Sequence, residues 1–252
     1  MAYWAISVWV ALIATVANMI LSLVTYNPYI CNNNDRLQQI VSEFKGFNVI
    51  FLPGTSRLSF LPSRSQQFLV KTHNIVAFDY NKKAAHSNKS CGCIIALRNS
   101  CFGNKFTVYE PDSCIAGRCG AVRVRRNDLD CLFCVFYFPP DPSKPRNRAT
   151  CHLVADWVRK TVKKMPKRCT VFFGCDANGK VGQDYNDILF EPYIGNVAPN
   201  TENFNGKEFR ELMTDCSLTA ANTHYDIGDT YYGHNSSSRI DYIGSCLSVF
   251  TR

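Results

Sequence analysis

No charged side chain occurs before Asp35. The apolar opening, residues 1–24, has the length of a signal peptide or a short membrane span, yet it lacks the positive flank of a secretory leader. Histidine is sparse, with five residues scattered along the chain, and Cys131 and Cys134 form the one Cys-x-x-Cys pair. A zinc site built from two such pairs is thereby excluded. Internal repeats and low-complexity tracts are absent as well, which excludes solenoids, collagen-like chains and extended disorder.

What is present fits one large core. The 252 residues are 46% hydrophobic and 19% charged, the composition of a single α/β domain. A net charge of +8 suits a polyanionic partner such as nucleic acid or a phosphorylated headgroup. The thirteen cysteines are odd in number, and many lie inside apolar runs such as Cys91-Gly92-Cys93-Ile94 and Cys131-Leu132-Phe133-Cys134. They read as buried free thiols in a reducing, intracellular compartment, nuclear or cytoplasmic. Residues 19–27 read as the first strand of the domain. Residues 1–18 then read as an apolar extension preceding a domain of residues 19–252, with a membrane or secretory role if the segment acts as an anchor or leader. Asn88-Lys89-Ser90 and Asn235-Ser236-Ser237 are glycosylation acceptors only in a secreted chain.

Apolar residues at Leu37, Ile40, Val41 and Phe44 have the spacing of an amphipathic helix over 35–45, capped by Asn34 or Asp35. A buried strand follows at 48–52 and stops at Pro53-Gly54. Strands are expected at 74–80, 93–97, 106–110, 121–125 and 132–138. A second helix over 146–164 carries Leu153, Val154, Trp157, Val158 and Val162 on one face, and Pro166 ends it. Residues 146–168 hold eight basic residues with Asp156 as the one acid, the pattern of a solvated helix face or of a nucleic-acid groove. A third helix is expected over 206–216.

The most informative stretch is Thr170-Val171-Phe172-Phe173-Gly174-Cys175-Asp176-Ala177-Asn178-Gly179. A strand here presents Asp176 and Asn178 on one face of its C-terminal end. A carboxylate there can hold a metal or a water while an amide donates to a phosphate oxygen. The same four residues also make an ordinary turn, since Asn and Gly tolerate left-handed backbone.

Five segments taken in order resemble the endonuclease/exonuclease/phosphatase superfamily, the deoxyribonuclease-I-like fold. They are Val24-Thr25-Tyr26-Asn27, Phe51-Leu52-Pro53-Gly54-Thr55, Phe136-Tyr137-Phe138-Pro139-Pro140, Gly174-Cys175-Asp176-Ala177-Asn178-Gly179 and Arg239-Ile240-Asp241-Tyr242-Ile243. The set is most similar to the endonuclease domains of non-LTR retrotransposons and to craniofacial-development-protein-2-like domains, over roughly residues 20–246. The resemblance implies an α/β (α+β) four-layered sandwich, two mixed β-sheets flanked by helices, acting as a monomer on DNA by hydrolysis assisted by Mg²⁺ or Mn²⁺. It implies metal contacts for Asn27 and Asp176, a water-activating role for Asp176, and phosphate contacts for Asn178, Tyr137 and, in support, Arg239. Asp241 would orient the family's terminal histidine.

Two departures stand out. The family places a metal-binding glutamate after its second strand, where this chain has Leu52-Pro53-Gly54-Thr55. The family's later Ser-Asp-His segment has no counterpart beyond Asp241, so the last core strand is expected to be missing. Losing a positioned acid or base costs about 10²–10⁴ in rate, so hydrolysis is expected to be weak or absent. The alternatives are a non-catalytic nucleic-acid or protein-binding module on the same fold and a phosphatase or phospholipase branch held at a membrane by residues 1–18.

Overall fold

The apolar runs become strands, and their registers bring the two halves of the chain together at one end. The structure is a computed structural model. It describes residues 6–7, 10–17, 19–29, 31, 33–56, 66–79, 91–126, 128–182, 192–195, 197, 201–233 and 237–249. The first half contains β1 (Ile6–Ser7), β2 (Val10–Val16), β3 (Met19–Thr25), α1 (Asn34–Glu43), β4 (Val49–Pro53), β5 (Gln66–Val70), β6 (His73–Phe78), β7 (Cys93–Arg98) and α2 (Asn99–Phe102). The second contains β8 (Thr107–Tyr109), β9 (Cys119–Arg126), β10 (Leu129–Tyr137), α3 (Pro145–Lys163), β11 (Thr170–Asp176), α4 (Phe204–Cys216), β12 (Leu218–Ala220), β13 (Tyr231–Tyr232), β14 (Ser237–Ser238) and β15 (Asp241–Cys246).

Two six-stranded sheets result, in the orders β2-β3-β4-β7-β6-β5 and β12-β15-β11-β10-β9-β8, with a small third sheet β1-β13-β14. Both large sheets are mixed, because β3 with β4 and β10 with β11 are parallel while the other pairs are antiparallel. Three apolar layers follow from strand parity, since alternate side chains leave opposite faces. Ile50 and Leu52 of β4 pack with Leu37, Ile40 and Val41 of α1, whereas Val49 and Phe51 turn to the other sheet and meet Phe172 and Phe133. Phe136 and Phe173 face Val154 and Val158 of α3 and Phe209 of α4. The layers are thus helix, sheet, sheet, helix, the expected sandwich.

Parity also disposes of Cys131 and Cys134. One faces the space between the sheets and the other faces the helices, so the pair cannot share an ion. All thirteen cysteines are free, and nine of them are buried. Gly174 has a packing reason: a β-carbon there would lie 2.5 Å from Cδ2 of Phe51, so the ring crosses between the sheets only over a bare backbone.

The boundary expected at residue 19 is corrected. All seven residues of β2 pair with β3, and Val10, Ala14 and Val16 are buried between the sheets. The sheet therefore takes in part of the segment read as an extension. Its strand period is hidden because the outward positions Ala11, Ile13 and Thr15 are uncharged, with Ile13 73% exposed. Among the described residues no helix is long and apolar enough to cross a membrane.

The expected strands appear with ends shifted by up to three residues. Helix α3 buries Cys151, Val154, Ala155, Val158 and Val162, but Leu153, expected on that face, is 48% exposed. Helix α1 is capped by Asn33, not by Asn34 or Asp35: the Asn33 side chain accepts the Arg36 N–H at 2.8 Å. Asn33→Ala is accordingly expected to cost about 1 kcal/mol in a urea titration and Asn34→Ala much less.

Candidate active site

The C-terminal ends of β3, β4, β10 and β11 and the start of β15 converge at one end of the sandwich. Tyr137, Asp176 and Asp241 form a single rung there, Tyr137 paired with Asp176 in the parallel register and Asp176 with Asp241 in the antiparallel one. From the other sheet, Asn27 follows β3 and donates from Nδ2 to Oδ2 of Asp176 at 2.7 Å. Its own Oδ1 accepts the Tyr29 N–H at 2.8 Å. Four of the residues read from the sequence are therefore brought together, Asn27 and Asp176 from 149 positions apart.

Asn178 joins them as part of a turn. Its backbone is left-handed at φ 43°, its N–H donates to Asp176 Oδ1 at 2.8 Å, and its Nδ2 donates to the Phe138 carbonyl at 2.9 Å. The turn reading and the site reading thus both hold for this motif. Buried Asn205 fastens the turn from below, its Nδ2 donating to the carbonyls of Pro139, Ala177 and Asn178.

Arg239 is placed elsewhere. It is buried, with Nη1 donating to the Val197 carbonyl at 3.0 Å and Nε to that of Gly228 at 3.3 Å. It ties loops together, which leaves the expected phosphate contact without support. The cation that does belong to the site is Arg118, which the sequence reading missed. It is 3% exposed, its guanidinium lies 5.0 Å from the centre of the Tyr137 ring, and its Nη1 has no hydrogen-bond partner among the described residues. A lone arginine between Gly117 and Cys119 carries no signal in the sequence.

Electrostatics follow from burial. The Asp176 carboxyl is pushed up to about 7, chiefly by burial, against the Asn178 N–H, the Asn27 amide and the Arg118 charge. Asp241 is raised well above the carboxylate range by burial and then by the facing Asp176, although Thr230 hydrogen-bonds to it. Its Oδ1 has no hydrogen-bond partner among the described residues. The pair therefore keeps a proton near neutral pH.

Gly54 is the position of the glutamate that the resemblance requires. Its backbone has φ 73°, and a β-carbon there would lie 2.9 Å from Asn27 Oδ1. Asn27 has filled the space a side chain at 54 would enter. The donor set does not fit a hard divalent cation, which needs several oxygen ligands. Both Asp176 oxygens already accept hydrogen bonds, as does Asn27 Oδ1. Among the described residues no three His, Cys, Asp or Glu side chains gather closely enough to hold an ion.

Comparison with solved structures agrees with the architecture. An AP endonuclease from Archaeoglobus fulgidus superposes with a TM-score of 0.54 at 12% identity, over 92% of this chain and 89% of that one. An AP endonuclease from Leishmania major superposes with a TM-score of 0.52 at 12% identity, over 89% and 78%. The chain has the deoxyribonuclease-I-like fold. The endonuclease domain of TRAS1, a telomere-specific non-LTR retrotransposon, overlaps more loosely, with a TM-score of 0.48 at 16% identity over 85% and 80%. No protein-family model and no curated protein matches the chain. The rung Tyr137–Asp176–Asp241 lies at strand ends, and Asn27 lies two residues beyond β3.

Proposed function

We propose that this chain is a nucleic-acid-binding domain descended from a retroelement-type DNA endonuclease, with phosphodiester hydrolysis absent or very weak. The observation that carries this reading is the closed triangle of Gly54, Asn27 and Asp176. Asn27 occupies the ligand position at 54 and holds the carboxylate that a metal would otherwise use. Asp176 rising to about 7 also leaves a large part of it protonated at neutral pH, so a cation would have to displace that proton to bind it. What remains suits an anion. Arg118, buried beside the Tyr137 ring, puts a positive charge behind the site, and a buried cation acts more strongly than one in water because little screens it.

The test is nicking of supercoiled plasmid with Mg²⁺ by the whole chain beside Asp176→Ala. A preparation cut at residue 20 would lose β2, so residues 1–252 are used. The expected result is no nicking by a folded protein that retards the plasmid in a gel. Nicking that disappears in Asp176→Ala would overturn the reading, and turnover of a soluble phosphomonoester without DNA binding would favour the phosphatase branch.

A further inference from the structure

The basic run of the sequence has a place in the fold that the site does not use. Helix α3 descends from the site end, so its last turn and the link to β11 lie at the opposite end of the sandwich. The six steps of β11 at about 3.3 Å each put Thr170 about 20 Å from Asp176. Exposed Lys160, Lys163, Lys164 and Lys167 stand there, together with Arg125 and Arg126 at the end of β9.

The lysines and Arg125 stand on the helix side of this end, whereas Arg126 leaves the opposite face of its strand. Arg168 bonds Asp130 at 3.1 Å, and Asp130 in turn holds Arg123 through two hydrogen bonds of 2.7 and 2.8 Å. That chain of ion pairs ties the α3–β11 link to the β9–β10 hairpin. Arg125 lies opposite Asp130 in the register and on the same face as Arg123. Among the described residues no carboxylate forms an ion pair with any of the six cations. Exposed acids beside them are Asp128 at the hairpin tip, Asp156 one turn before Lys160, and Asp215, which pairs with Arg159.

An ordinary solvated helix face accounts for part of this. The helix dipole favours cations in the last turn, which suits Lys160 and Lys163. It does not account for Lys167, Arg125 and Arg126 on other elements, nor for like charges at Lys160 and Lys164, a spacing that repels. We propose that this face binds the phosphate backbone of nucleic acid without sequence preference, as a second contact remote from Asp176. Nucleic acid is favoured over an anionic membrane because the cations have no large exposed apolar side chain among them: Ile13 and Ile20 lie on the other sheet. The proposal does not depend on whether the Asp176 site turns over.

The test measures binding of a random duplex of about 30 base pairs by fluorescence anisotropy across a salt series, for the parent and for K160Q/K163Q/K164Q/K167Q. Each lysine in phosphate contact contributes about 0.9 to the slope of log affinity against log salt. The quadruple variant is expected to lose about 3 from the slope and about tenfold or more in affinity. Its thermal midpoint should match the parent's, since all four residues are exposed. Lys45→Gln, at an exposed lysine just after α1 on the other sheet's outer side, should leave the slope unchanged, which ties the loss to this face. An unchanged slope in the quadruple variant would overturn the proposal. So would binding of phosphatidylserine vesicles, lost in the variant, by a protein that does not bind the duplex.

Discussion

Gly54→Glu is expected to destabilise the fold by about 3–5 kcal/mol and to restore neither metal binding nor nicking. A non-glycine residue held in a left-handed conformation costs about 1–3 kcal/mol, and Gly54 sits at φ 73°. The added β-carbon also meets Asn27 at 2.9 Å. Asn27 then has to swing away and give up its hydrogen bond to Asp176, a bond to an ionisable group worth about 1.5–3 kcal/mol. At about 2–4 °C per kcal/mol for a chain near this size, the thermal midpoint should fall by roughly 10 °C. Gly54→Ala should lose nearly as much, because the β-carbon that meets Asn27 is common to both variants, and adding Asn27→Ala should not restore the loss, since it removes the hydrogen bond to Asp176 outright. A Gly54→Glu protein as stable as its parent would show that the backbone at 54 is not committed to glycine.

Asp241→Asn should make the protein more stable at about pH 8 by about 2 kcal/mol, with little effect near pH 4. Both carboxyls of the rung titrate higher in the folded chain than in the unfolded one. Between the two values the folded state binds more protons. Its stabilisation is therefore complete below the unfolded value near 4 and is lost as pH rises through the folded value. For Asp176 alone, a rise to about 7 corresponds to a loss on the order of 4 kcal/mol across that window. Asparagine at 241 keeps the shape and the Thr230 contact but removes the carboxyl whose ionisation is opposed by burial and by Asp176, so its share of the loss at high pH disappears. Carboxylates elsewhere act in the opposite direction: the Arg123 guanidinium holds Asp130 below its usual range. Comparing parent with variant in thermal melts at the two pH values cancels them. Equal midpoints at pH 8, or a variant that loses more stability there than near pH 4, would contradict the coupling of the rung.

Much of this architecture can be read from residue pattern, and the failures have identifiable causes. Strands buried on both faces, such as β4, β10 and β11, announce themselves as apolar runs. Asp176, Asn178, Tyr137, Asn27 and Asp241 were placed by short motifs at strand ends, and register then explains how such distant segments meet. Strand β2 was misread because solvent-facing Ile13 looks like a core residue in a one-dimensional pattern. Leu153 failed for the converse reason, since the buried side of α3 is shared with Cys151, Ala155 and Thr161, residues too small or too polar to mark it. Strand β5, a short edge strand starting with two glutamines, went unread. Arg118 was missed and Arg239 singled out because burial and loop contacts, not spacing, decide which arginine lies beside the rung. That Asn27 fills the space beside Gly54 is a fact about a close approach between two loops, and no pattern along the chain encodes it.

The measurement that tests the central claim most directly is calorimetric titration of the whole chain with Mn²⁺ near neutral pH, run beside Asp176→Ala. If Asn27 has taken over the carboxylate, the two proteins should give the same weak heats, with no saturable site tighter than about millimolar. Saturable binding in the parent that is lost in Asp176→Ala would mean that Asn27 yields to the ion, and that the site is a metal centre after all.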